Sequence, residues 1–108
     1  MASSKGEAEH IPFEEGNPVA SESEALRLLG EKYAGGERDV NAFLADSPEG
    51  PFINQAKISG WPERIEWQKK YRVTEEIAHA LKEKGLVQTS TPTSWGISSA
   101  GIAELMKS

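Results

Sequence analysis

The chain contains no cysteine. That excludes a disulfide scaffold, a thiolate metal site and a cysteine nucleophile. Small secreted domains usually need such staples, so the expected location is cytoplasmic. No apolar run approaches the ~18 residues that cross a bilayer. The opening Met1-Ala2-Ser3-Ser4-Lys5-Gly6 has no apolar signal core. No membrane partner is expected. A Gly-rich phosphate loop, an HExxH and a GxSxG are all missing. No enzymatic activity and no small-molecule substrate are therefore expected. Of the two histidines, His79 stands mid-helix between apolar neighbours, and His10 is far off in the tail. With no cysteine beside them, no metal site or other cofactor is expected.

Positive charge is also in short supply. The 108 residues carry 12 basic and 17 acidic groups, for a net charge of −5. The imbalance is local. Between Met1 and Glu24 only Lys5 stands against Glu7, Glu9, Glu14, Glu15, Glu22 and Glu24, which accounts for the whole −5. The remainder is electrically balanced. Hydrophobic residues make up 37%, enough for one small core. Residues 1–20 contain Ser, Glu, Gly and Pro, with Ile11, Phe13 and Val19 as the larger apolar groups. Such a composition does not offset chain entropy by burial. Residues 1–20 read as a disordered acidic tail, or as a strap docking Ile11 and Phe13 on the core. Residues 21–108 read as a single domain.

Ser21 and Glu24 fit a capping box. Ala25, Leu26, Leu28, Leu29 and Tyr33 follow at helical spacing, and Gly35-Gly36 stops the helix. Asp39 fits the cap of a second short helix with Val40, Phe43 and Leu44 on one stripe. Residues 46–61 read as loop. Pro62 suits a helix start, and Trp61/Ile65 and Trp67/Tyr71 are spaced i, i+4, predicting a helix over 62–72. Thr74 then caps a helix carrying Ile77, Ala78 and Leu81, continuous with the preceding one or separate from it.

After Gly85 the period changes. Leu86-Val87-Gln88-Thr89-Ser90 and Ser94-Trp95-Gly96-Ile97 read as a hairpin across Thr91-Pro92-Thr93. Ser98 or Ser99 caps a last helix with Ile102, Leu105 and Met106.

The run Ile77 to Val87, with Leu81, Gly85 and Leu86, followed by Trp95-Gly96-Ile97-Ser98-Ser99-Ala100-Gly101, resembles the end of a winged-helix (winged helix-turn-helix) domain. The resemblance implies an α+β, mainly helical fold. It would have three to four helices and a C-terminal two-stranded β-hairpin wing followed by a short helix. In DNA-binding members the helix before the wing enters the major groove. Carried onto this chain, that helix offers Glu75, Glu76, His79, Lys82 and Glu83, and the wing tip has no Lys or Arg. The basic cluster lies upstream: Arg64, Lys69, Lys70 and Arg72, with Lys69 and Arg72 sharing a helix face at i, i+3.

The expected function is a DNA-binding or transcription-related module. Phosphates of double-stranded DNA would be held by the 64–72 helix, aided by His79 and Lys82. The alternative is a protein-interaction module with the same fold and no DNA binding.

Overall fold

The computed structural model describes residues 13–14, 16–35, 39–60, 62 and 64–107. Expectations that rest on the tail 1–12 (Ile11 among it), on Gly36 and on Trp61 lie outside the described residues.

Helix α1 (Glu22–Leu29) begins where Ser21 predicts. The Ser21 hydroxyl accepts the Glu24 amide at 3.2 Å, satisfying one of the unpaired first-turn donors. Its buried stripe is Ala25, Leu26 and Leu29. A short 3-10 turn, Glu31–Ala34, follows.

The middle of the chain then departs from the helical reading. The residues expected as a second short helix form strand β1 (Val40–Ala45). The expected loop contains strand β2 (Phe52–Ser59), and the expected basic helix is strand β3 (Arg64–Arg72). The cause lies in the spacing. Val40 and Leu44, like Trp67 and Tyr71, are four residues apart. Four is one helical turn, but it is also an even number, so both residues share a face of a strand as well. Val40, Ala42 and Leu44 are buried in alternation with exposed neighbours. That is period two, and it identifies the strand.

Beyond this, Thr74 caps helix α2 (Glu75–Glu83), accepting the Ile77 amide at 3.3 Å. Gly85 takes a left-handed φ of +70° just past the helix end. Leu86 then enters the core. Strands β4 (Val87–Thr91) and β5 (Ser94–Ile97) make the C-terminal hairpin. Ser98 caps helix α3 (Ser99–Met106), accepting the Gly101 amide at 3.1 Å and donating to the Gly85 carbonyl at 2.6 Å.

All five strands join one antiparallel sheet in the order β3-β2-β1-β5-β4. The expected mainly helical winged helix is thereby overturned. Among the described residues there are three α-helices and a five-stranded antiparallel sheet, with more residues in strands than in helices. The hairpin expected as a two-stranded wing is real, but it is bonded through β5 to β1 and is one edge of a continuous sheet.

The helices cover one face of that sheet. Leu44 pairs with Ile53 on one side and Trp95 on the other, so all three point the same way. Leu44 and Ile53 are fully buried under Leu26, Leu29 and Leu81. Gln55 is buried beside them and donates to the Leu28 carbonyl at 2.6 Å, tying the end of α1 to β2. Every buried side-chain polar atom among the described residues has a partner.

The described part of residues 13–20 runs parallel to the free edge of β3. Phe13 bridges to Lys70 and Val19 to Val73. The Val19 amide donates to the Arg72 carbonyl at 2.7 Å, and Val19 is buried in the core. The packed domain therefore takes in Val19, upstream of residue 21. Phe13 docks on Phe52, on the sheet's far face, and not on the core.

Candidate functional site

The face of the sheet turned away from the helices has no helix or strand packed across it among the described residues, and Phe13 docks on it at Phe52. The register names what it carries. One row is Ser94, Ala45, Phe52 and Arg72; the next is Phe43, Asn54 and Lys70; the next is Asn41, Ala56 and Gln68. Gly96 and Gln88 continue the face on β5 and β4. None of these residues is a carboxylate, in a chain of net charge −5.

Aromatic rings and cations interleave here. Phe43 is 39% exposed. Phe52 meets Phe13 edge to face, with centroids 5.5 Å apart. The Arg72 guanidinium lies 3.9 Å from the Phe13 centroid, and the Lys70 ammonium 5.2 Å from that of Phe52. These cation–π contacts hold the two charges over the rings without neutralising them. Neither Lys70 nor Arg72 has an ion-pair partner among the described residues.

Of the six sequence-predicted binding residues, two come together here. Lys70 and Arg72 share the open face. Lys69 points to the helix side, in register with Gln55, and lies 5.3 Å from the Trp67 ring centroid. The expectation that Lys69 and Arg72 share a face is corrected, because three residues apart in a strand means opposite faces. Arg64 is exposed at the start of β3, beyond a bulge at Lys57/Ile58. His79 and Lys82 are on α2, across the molecule. His79 Nε2 is 3.1 Å from Glu83, while Lys82 is 3.6 Å from Asp46 and 3.8 Å from the Trp95 ring centroid. The structure thus separates these six residues into at least two surfaces.

Sequence reasoning missed Phe43, Phe52, Asn54 and Gln68, because it placed their segments on helices and loops. The alternation Phe52, Asn54, Ala56 against Ile53, Gln55, Lys57 was the available signal.

Around Glu66, the Ser59 hydroxyl and Lys57 hold the carboxyl below its ordinary value, the hydroxyl hydrogen bond being the larger cause. Elsewhere, a cavity of about 400 Å³ between α1 and α3 has Leu26, Leu86 and Leu105 in its wall, and the Glu22–Lys84 ion pair (2.7 Å) at its rim. Among the described residues, no three histidines or carboxylates gather closely enough to hold a metal ion, and no helix is long and apolar enough to cross a membrane.

The chain matches no protein-family model, no curated protein and no solved structure. The functional reading therefore rests on the geometry of the open face.

Proposed function

We propose that this domain binds single-stranded nucleic acid on the open face of its sheet, as a cytoplasmic binding module. One observation carries the reading: a sheet face with no helix or strand packed across it among the described residues, where Phe43 and Phe52 stand beside Lys70 and Arg72, neither of which has an ion-pair partner among the described residues. Flat aromatic platforms stack unpaired bases, and cations beside them hold the phosphates. Duplex DNA fits less well. Its bases are already stacked, and the exposed side of α2 offers Glu75, Glu76 and Glu83 to the backbone.

Fluorescence anisotropy with labelled oligonucleotides tests the reading. Single strands bind, and the matching duplex binds more weakly. With two phosphate contacts, affinity falls only about sevenfold between 50 and 200 mM salt. Phe43→Ala costs about fivefold or more, as loss of one stacked base should. Lys70→Glu combined with Arg72→Glu removes binding, with circular dichroism unchanged. No binding of any single strand at low salt would sink the proposal.

A second reading, a protein-interaction module, draws on Ile65, which is 63% exposed near the turn end of the β2–β3 hairpin. It predicts an affinity for a protein partner that Ile65→Ser weakens and Lys70→Glu does not.

A further inference from the structure

The geometry points to a base-reading pocket where the sheet forks between β1 and β5; this inference rests on the nucleic-acid reading above. The pairing of β1 with β2 runs the full length from Val40 to Ala45, but β1 pairs with β5 only at Leu44↔Trp95 and Ala45↔Ser94. Beyond that point the two strands are no longer paired. The gap is a cleft of about 240 Å³ that includes Asn41, Phe43, Gln88 and Gly96 in its lining, with Lys32 and Tyr33 of the 3-10 turn also bordering it.

Three features suit this cleft to one unpaired base. First, Phe43 is at once a wall of the cleft and an exposed ring of the open face. A strand stacked on the face has a base beside the opening. Second, Gly96 keeps the space clear. A Cβ there would lie 3.6 Å from the Phe43 ring, ordinary contact, but a larger side chain would fill the gap. Third, the amides are divided. Mid-sheet, Gln68 Nε2 donates to Asn54 Oδ1 at 3.0 Å. Asn41 and Gln88, at the cleft, make no side-chain hydrogen bond among the described residues. Each of those two offers a donor and an acceptor side by side, the pattern that matches the polar edge of a nucleobase.

Phosphate anchoring lies within reach. Lys70 sits in the same row as Phe43, two strand spacings away, roughly 10 Å across the sheet. Lys70 and Arg72 supply affinity for any strand, and the cleft supplies preference among bases.

Binding of oligo(dA), oligo(dC) and oligo(dT), each about twelve nucleotides long to span one such face, tests the pocket. One of the three binds at least about fivefold more tightly than the weakest, the discrimination that amide-to-base contacts give. Asn41→Ala with Gln88→Ala removes that preference, so that the three oligonucleotides bind within about twofold of one another. Gly96→Val, which fills the cleft, does the same, provided its thermal melt matches that of the parent. Equal binding of the three oligonucleotides, or a preference that survives the Asn41/Gln88 double variant, overturns the pocket and leaves the open-face reading standing. Failure of all three to bind overturns both.

Discussion

Lys69 and Lys70 are neighbours in the chain and stand on opposite faces of one strand. Lys69 is exposed on the face that carries Gln55, and Lys70 is in register with Asn54 on the open side. Lys69→Glu should therefore leave oligonucleotide affinity within about twofold, while Lys70→Glu lowers it and flattens the salt dependence by about one phosphate contact. Parallel salt titrations decide this; equal losses would place the binding surface elsewhere. Gly101 makes a second point at this scale. A Cβ there would overlap the Leu86 carbonyl oxygen and lie 2.7 Å from Ile97 Cγ1. Alanine is the better helix former by about 1 kcal/mol. Gly101→Ala should nonetheless destabilise the domain by about 1–3 kcal/mol, the usual cost of overpacking. Urea unfolding measures the sign, and a gain in stability would show that α3 shifts freely.

Helix ends and strand faces differ in how plainly a sequence displays them. The caps at Ser21, Thr74 and Ser98 are local: a hydroxyl meets an amide three residues on. Such contacts depend on no distant partner: Ser21 and Thr74 cap where the sequence places them, and of Ser98 and Ser99 it is Ser98 that caps α3. The strands β1, β2 and β3 depend on one another, and their apolar pairs at i, i+4 suit both periods. Gln55 marks the joint between the two kinds of element. It is buried on β2 and donates to Leu28 O near the end of α1, where helix carbonyls lack helical partners. Gln55→Leu keeps the volume and removes the donor. The expected cost is about 1–3 kcal/mol, from a partly buried carbonyl left unsatisfied. A neutral result in chemical denaturation would mean that water or a neighbouring amide takes its place.

Across the whole molecule, charge and burial are sorted by face. The helices and the core occupy one side of the sheet, and Phe43, Phe52, Lys70 and Arg72 stand on the other. Tyr71 lies on the covered side, partly buried against the core. Burial, with Glu14 and Glu31 adding to it, pushes its phenol above the ordinary value of 10.0. The folded state then holds that proton more tightly than the unfolded chain. The associated stability is intact below about pH 10 and is lost as pH rises through the folded value. Between pH 9 and 11 the melting temperature of the parent protein should fall more steeply than that of Tyr71→Phe. Parallel profiles would mean that Tyr71 ionises as freely in the fold as out of it.

Local chemistry determined the three helix caps, the left-handed turn at Gly85, the C-terminal hairpin and the closing helix, because each depends on residues within a few positions of one another. The absence of cysteine and of long apolar runs was likewise decided by the sequence alone. Tertiary structure decided the rest. Residues 40–72 became three strands because each edge found a partner, and a spacing of four does not tell a helix from a strand until that partner is present. The open face exists for the same reason. Phe43, Phe52, Lys70 and Arg72 are spread over 30 positions of the chain, and only the register of β1, β2 and β3 brings them onto one surface.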